Sequence, residues 1–476
     1  MKLNELILCS DKSLGNADIL GITCNSKEVK SGYVFVCING TAVDGHKFAQ
    51  DAYNNGAAAI IVERDLGLDN QIIVENTRLV YSEMCAKWFG NPAYSLKLIG
   101  VTGTNGKTSI TYMLKKVLES AGYTVGLIGT IQNMIGEEIV ASQNTTPNAY
   151  ELNSLFALMK AKGCSYVIME VSSHALDQYR VYNLDFEAAV FTNLTQDHLD
   201  YHKTMENYLE AKKKLFKMCK TAIINSDDEY ANKIISGLEC KVVTYSTGND
   251  STYSAKGIKY RPESVDYELV SSGMINHIRV NTGGNFTVYN SMAAVVCALE
   301  LGINIKVAAE AIASISGVKG RAEVVPNDKG FTVIIDYAHT PDGLKNILKT
   351  FKECEKNRLI VLFGCGGDRD KAKRPIMGNI AVHNADYVIV TSDNPRSEEP
   401  LSIIDDILEG MKGATTPYKV IPNRIEAIKY AVKNAQKDDI IVLAGKGHET
   451  YQILNTGTIH LDEREVVAEA FKELSE

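Results

Sequence analysis

The stretch Thr102-Gly103-Thr104-Asn105-Gly106-Lys107-Thr108 holds the residue types that grip phosphate. Glycines let successive backbone N–H groups converge on an anion, a lysine reaches terminal phosphates, and a threonine hydroxyl can ligate Mg²⁺. Only Thr104 and Asn105 separate Gly103 from Gly106, a shorter spacing than the general P-loop. An ordinary glycine turn is the alternative. The flanking residues favour the loop: Leu98-Ile99-Gly100-Val101 reads as a strand, and Ile110, Met113, Leu114, Val117 and Leu118 recur at helical spacing.

Further polar clusters each follow a strand-like run. They are Glu170-Val171-Ser172-Ser173-His174, Asn193 to His198, Asp336 to Pro341, Gly364 to Arg369, Asp393-Asn394-Pro395-Arg396 and Gly445-Lys446-Gly447-His448-Glu449. Any one could be turn chemistry. Together, beside a P-loop, they point to one binding region, because open α/β sheets bind ligands beyond the carboxyl ends of their strands. Glu170 is the natural metal ligand, completing a Mg²⁺ site with Thr108. His198 either joins a second cation or is a loop histidine bonded to Asp197. Lys212 shares a helix face with Leu209 and Phe216, with Lys213 close by; periodicity alone favours a snorkelling stem with its amine in water.

The elements that would position these groups fall into three α/β units. Residues 1–94 alternate short strands (Tyr33 to Val36, Ala59 to Val62) with polar turns and end in a helical stretch. Residues 95–324 carry the P-loop and continue as strands (Tyr166 to Met169, Ala189 to Thr192) and helices, predicting a largely parallel sheet. The Gly-rich stretch 317–330 reads as a linker. Residues 325–476 restart the pattern, with strand-like runs at Thr332 to Ile335, Leu359 to Phe363, Tyr387 to Val390 and Ile440 to Leu443, predicting a second doubly wound, Rossmann-like sheet.

At 476 residues the chain is too long for one core. A net charge of −8 argues against a nucleic-acid surface, while leaving room for local basic pockets. The ten cysteines are scattered without CxxC or zinc spacing, as expected of reduced thiols in a cytoplasm. Leu6-Ile7-Leu8-Cys9 faintly suggests a lipoprotein site but lacks a long apolar core, and no run reaches the length of a membrane span.

With these motifs assembled, the chain resembles the Mur ligase family over nearly its whole length. Within it, the likeness is to the branch that forms UDP-N-acetylmuramoyl tripeptides with meso-diaminopimelate. The short P-loop matches the family form, and Glu170 to His174, Asn193 to His202, Asn225-Ser226-Asp227-Asp228, Asp336 to Asp342, Gly364 to Pro375, Asp393 to Pro400 and Gly445 to Glu449 have counterparts in family order.

The resemblance implies an N-terminal UDP-binding domain, a central ATPase domain and a C-terminal amino-acid domain. It implies ATP and Mg²⁺ as cofactors, and ATP-driven amide formation through an acyl phosphate. Gly103, Thr104, Asn105, Gly106, Lys107 and Thr108 would bind ATP, with Asn290 at adenine and Arg321, Tyr337 and His339 closing over the nucleotide. Lys107, Glu170, His198 and Lys212 would be catalytic. Thr108, Glu170, His198 and Lys212, as an N6-carboxylysine carbamate, would hold metal. Ser26 matches a uridine contact, and Asn144, Thr145, Thr146, Ser172, Gln178 and Arg180 match muramoyl-dipeptide contacts. Arg369, Asp393, Asn394, Arg396, Gly445 and Glu449 match the diaminopimelate site. The Asp-Asn-Pro-Arg form accompanies meso-diaminopimelate, whose second carboxylate a guanidinium binds in a bidentate, charge-assisted way while repelling a lysine ammonium. The pattern departs at Asn25 and Lys27 beside Ser26, and at Thr287, Ala372, Asn423 and Leu461. A cytoplasmic monomer acting on small molecules, without nucleic acid or membrane insertion, is expected. Competing readings are a lysine-adding ligase, a folate polyglutamylating enzyme, a P-loop kinase or hydrolase, and a nucleotide switch.

Overall fold

The structure is a computed structural model describing residues 1–40, 43–142, 144–315, 317–354 and 357–474. The N-terminal unit is a parallel sheet of β1 (Gly21–Thr23), β2 (Tyr33–Val36), β3 (Ala59–Val62) and β4 (Gln71–Ile73), in sequence order. Its inner strands are unbroken apolar runs because both faces are covered. Val34, Val36 and Ile61 pack on Tyr81, Met84 and Cys85 of the helix Thr77–Trp88, while Phe35, Ile60 and Val62 pack on Ala49 and Ala52.

The central unit is built from β5 (Lys97–Thr102), β6 (Val125–Ile128), β7 (Asn133–Ile135), β8 (Glu138–Val140), β9 (Tyr166–Glu170), β10 (Phe186–Phe191), β11 (Cys219–Asn225), β12 (Lys241–Ser246), β13 (Tyr253–Arg261), β14 (Ser264–Ser271) and β15 (Met274–Val280). Their spatial order is β15-β14-β13-β12-β11-β10-β5-β9-β6-β7-β8. The middle is parallel as expected; both flanks are antiparallel, as a β13–β15 meander and a β6–β8 meander. β5 lies between β10 and β9, so the loops leaving all three emerge side by side. The helices Lys107–Ser120, Asn285–Glu300 and Ile305–Ala313 share the core on one face. Phe156 of the helix Ala149–Ala161 and Leu209 of the helix Met205–Lys213 join the other.

The C-terminal sheet comprises β16 (Glu323–Val325), β17 (Thr332–Asp336), β18 (Leu359–Phe363), β19 (Tyr387–Val390), β20 (Tyr418–Val420) and β21 (Ile440–Ala444), ordered β16-β17-β21-β18-β19-β20. All pairs are parallel except β16 with β17. β16 lies inside the stretch read as a linker. Three residues between turn-forming neighbours are too short to show a period, and an antiparallel edge on a parallel sheet is common. A hairpin of β22 (Tyr451–Leu454) and β23 (Gly457–His460) follows. Among the described residues, no helix is long and apolar enough to cross a membrane.

Candidate active site

The loops after β5, β9 and β10 form one locked surface. Gly103 sits at φ 147°, and a Cβ there would lie 1.8 Å from Thr192 Oγ1. Thr192 Oγ1 donates to the Asn105 carbonyl at 2.6 Å, and the Asn105 N–H donates to Asn193 Oδ1 at 2.9 Å. Gly106, at φ 91°, starts the helix Lys107–Ser120; a Cβ there would meet Asn290 Oδ1 at 2.5 Å. Glycine is therefore required twice, for backbone conformation and for close approach.

Two lysines converge on one carbonyl. Lys107 Nζ donates to Gly103 O and Thr104 O, both at 2.9 Å, and Lys212 Nζ donates to Gly103 O at 2.8 Å. Lys212 is 1% exposed and lies 4.5 Å from the centre of the Tyr208 ring. Its amine is thus not in water, which corrects the snorkelling expectation: the helix Met205–Lys213 packs against the P-loop, so the inward face carries the amine to a backbone acceptor. Burial, and then the neighbouring Lys107 charge, push its pKa well below the ordinary lysine value. Burial also lowers that of Lys107, against the opposing pull of Glu170 and Asp197.

Glu170 ends β9, buried, with Oε1 accepting from the Thr130 N–H at 3.0 Å and Oε2 from the Thr130 hydroxyl at 2.9 Å. A Cβ on Gly129 would lie 2.6 Å from Glu170 Oε1, so Gly129 makes room for the carboxylate. His198 adopts a left-handed backbone (φ 53°). Its Nε2 is 3.4 Å from Asp197 Oδ2, and its ring meets His174 edge-on at 4.9 Å. Burial, then the charges of His198 and His202, hold His174 at about 4, so it is neutral near pH 7. Among the described residues no group of three or more His, Cys, Asp and Glu is placed to hold a metal.

A hydrogen-bonded chain leads from Glu170 towards the N-terminal unit. Thr146 Oγ1 donates to Glu170 O at 2.8 Å and accepts from the Ser172 N–H at 3.0 Å. Arg180 donates to Thr146 O at 2.9 Å and grips Gln178 Oε1 through two nitrogens. Thr145 joins through Thr130 at 3.0 Å, and the Asn144 carbonyl accepts from Ser142. Ser26 stands apart, opening a short 3₁₀ turn capped by Asn25 in the N-terminal unit. Ser82 Oγ, on the helix Thr77–Trp88, donates to Tyr179 O and fixes that unit beside Arg180.

The C-terminal unit meets the P-loop. Arg321 lies 4.8 Å from the Tyr337 ring centre and donates to Thr108 Oγ1 at 3.4 Å. Tyr337 packs against His339 at 4.6 Å and His448 at 4.9 Å. Nearby strand ends bring a second set of polar side chains together. Asn394 Nδ2 donates to Glu449 Oε2 at 3.0 Å, Arg396 Nη1 to Gly367 O at 2.8 Å, and Arg369 Nη1 to Asp368 O at 3.1 Å. Among the described residues Asp393 Oδ2 is buried without a hydrogen-bond partner, and a Cβ on Gly445 (φ 114°) would lie 2.7 Å from it.

Three family models match in order: "Mur ligase family, catalytic domain" over residues 18–92, "Mur ligase middle domain" over 101–298, and "Mur ligase, glutamate ligase domain" over 320–447. A UDP-N-acetylmuramoyl-L-alanyl-D-glutamate–2,6-diaminopimelate ligase of Caldanaerobacter subterraneus subsp. tengcongensis is 48% identical over 463 residues, 96% of each chain. The chain belongs to the Mur ligase family. A solved structure of a UDP-N-acetylmuramoyl-L-alanyl-D-glutamate–2,6-diaminopimelate ligase superposes with a TM-score of 0.75 at 33% identity, covering 100% of this chain and 99% of that one. The MurF ligase of Thermotoga maritima, solved in complex with ADP, shares the fold with a TM-score of 0.62 at 20% identity, covering 97% and 98%.

Several contacts of this ligase escape a linear reading. Thr130 and Gly129 shape the Glu170 carboxylate but lie in an unremarked turn. Asp342 opens the helix Pro341–Lys352, where an acid reads as a complement to the helix dipole. Its Oδ2 instead accepts from Asn105 at 3.3 Å and Thr195 at 3.1 Å, bonding the C-terminal unit to the P-loop. Asp227 accepts from Ser246, Thr247, Tyr289 and Asn249, pinning the loop after β12 onto the helix that carries Asn290. Burial pushes its carboxyl up, but these bonds outweigh that and hold it at about 2.

Proposed function

We infer that this ligase joins meso-diaminopimelate to UDP-N-acetylmuramoyl-L-alanyl-D-glutamate using ATP, a step of peptidoglycan precursor synthesis. The observation that carries the reading is the meeting of Lys107 and Lys212 on Gly103 O, with the Glu170 carboxylate acting on Lys107 at the head of a parallel sheet. A lysine charge held only by neutral carbonyls beside the P-loop amides leaves positive charge for an anion to neutralise, and phosphates there would do so. The names of the relatives supply the substrates.

In this reading the Gly103–Thr108 loop cradles the ATP phosphates, Asn290 meets the adenine, and Arg321, Tyr337 and His339 close over the nucleotide. The dipeptide carboxylate, oriented by Asn144 to Thr146, Ser172, Gln178 and Arg180 with Ser26 on the uridine, attacks the γ-phosphorus, and ADP leaves. The free amine of diaminopimelate then attacks the acyl phosphate, releasing phosphate and a proton. Lys107 offsets the charge of two anions brought together. Arg396 and Arg369 take carboxylate, and Asp393 and Glu449 take ammonium; the unpartnered Asp393 Oδ2 suits that role. The oxygen donors Glu170 and Thr108, with His198, fit Mg²⁺, which would draw charge from the phosphates when bound. Mg²⁺ takes about six oxygens, more than Glu170 and Thr108 supply. A carbamate on Lys212, formed from the neutral amine and CO₂, would add others, and burial favours that neutral amine. Units 1–94, 95–324 and 325–476, a cytoplasmic location and a monomeric chain belong to the same reading.

Incubation with ATP, the UDP-dipeptide and meso-diaminopimelate should yield ADP, phosphate and one product whose mass is the sum of the two organic substrates less water. ADP formed without that product would overturn the assignment.

A further inference from the structure

Lys446 is a buried cation that the mechanism above does not use. It is 0% exposed, and its Nζ donates to Glu449 Oε2 at 2.8 Å and Asn394 Oδ1 at 3.0 Å. Asn394 Nδ2 in turn donates to the same Glu449 oxygen at 3.0 Å, closing a ring of three side chains. The Ile453 N–H adds a second bond to Asn394 Oδ1 at 3.0 Å.

Two donors converging on one atom of the Asn394 amide require that atom to be the oxygen. The nitrogen must then face the other way, with one N–H on Glu449 and the second left for a ligand. Glu449 has one oxygen occupied by Lys446 and Asn394; its Oε1 accepts no bond among the described residues. Asp393 Oδ2 is the neighbouring unpartnered acceptor. The pocket therefore offers one amide donor and two carboxylate acceptors, with the Lys446 charge cancelling one of the two negative charges. The remaining single negative charge matches one substrate ammonium.

We propose that Lys446 is a positioning residue for the incoming amino acid, setting the direction of the Asn394 amide and the charge of the Asp393–Glu449 pair. This rests on the reading of the pocket as the diaminopimelate site. Removing one partner of a buried pair leaves the other charge uncompensated, whereas removing both is often tolerated.

The test compares Lys446→Met, Glu449→Gln and the double variant in the full-length enzyme. KM is measured for meso-diaminopimelate, ATP and the UDP-dipeptide, with melting temperature alongside. Lys446→Met should raise the meso-diaminopimelate KM about thirtyfold or more. It should leave the other two KM values within about twofold, inside the ordinary scatter of substitutions remote from a ligand. The double variant, left with the Asp393 charge alone, should have a lower meso-diaminopimelate KM than Glu449→Gln. An unchanged KM in folded Lys446→Met overturns the proposal. If that variant does not fold, a double variant no better than Glu449→Gln overturns it instead. Arg396→Ala separates the two levels: if it too leaves the meso-diaminopimelate KM unchanged, the pocket assignment fails, and if it alone raises that KM, only the role of Lys446 fails.

Discussion

The phosphate end and the amino-acid end of this molecule are built from different materials. At the P-loop, backbone groups do the holding: Gly103 O and Thr104 O take the lysines, and the loop is locked by bonds to Asn105 O and from Asn105 N. At the second pocket, side chains from two strand ends hold one another, Asn394 and Glu449 with Lys446 behind them, and Arg396 rests on a carbonyl from a third. A backbone cradle accepts any nucleotide triphosphate in one fixed way. A side-chain pocket can be retuned by one substitution, so specificity is expected there and not at the P-loop.

The largest test of this contrast is Lys212→Ala. Losing a buried group at the phosphate end should cut ligation by about 10²–10³-fold or more, in line with losing one transition-state donor. Added bicarbonate should not restore it, whereas a short-chain carboxylic acid should restore part. Near-wild-type turnover in product-formation assays would remove Lys212 and its carbamate from the mechanism.

Arg396→Ala sharpens the other side. The KM for meso-diaminopimelate should rise by about thirtyfold or more, as for a truncated charge pair, while the ATP KM stays put. Parallel changes in both constants would mean that the two ends are not separable.

The smallest expected effect is on stability. Asp227→Asn should cost about 1–3 kcal/mol, because donors that met a charged acceptor lose it. The folded carboxyl sits near 2, below its unfolded value, so its contribution is present above the ordinary carboxylate range and is lost as pH falls towards 2. In thermal melts from pH 7 to pH 3 the gap between wild type and variant should therefore narrow at the acid end. A constant gap would show that Asp227 acts only through shape.

The same contrast explains what the sequence made legible. Lys107, Thr108 and the strand–loop–helix around them are local, so residue spacing reveals them. The inner strands β2, β3, β5, β9, β10, β17, β18, β19 and β21 are legible because a run buried on both faces is apolar throughout, whereas the longer β13, β14 and β15, partly exposed, go unread. Glu170 stood out at a strand end, but Thr130 and Gly129, which aim it, come from a neighbouring strand's loop. Lys212 was misread because helical spacing tells which way a side chain points and not what lies opposite; here it is a carbonyl 2.8 Å away. β16 hid in a Gly-rich stretch because an edge strand of three residues carries no period. Asp342 ends the Asp336 to Asp342 motif, but its bond to Asn105 joins residues of two different units, which spacing along the chain does not reveal.

The most direct test of the central claim is phosphate release from ATP with UDP-N-acetylmuramoyl-L-alanyl-D-glutamate present, comparing meso-diaminopimelate with L-lysine. Release with product formation for meso-diaminopimelate and not for L-lysine is the predicted result. Equal release with both amino acids would contradict the assignment of specificity to the Arg396 pocket.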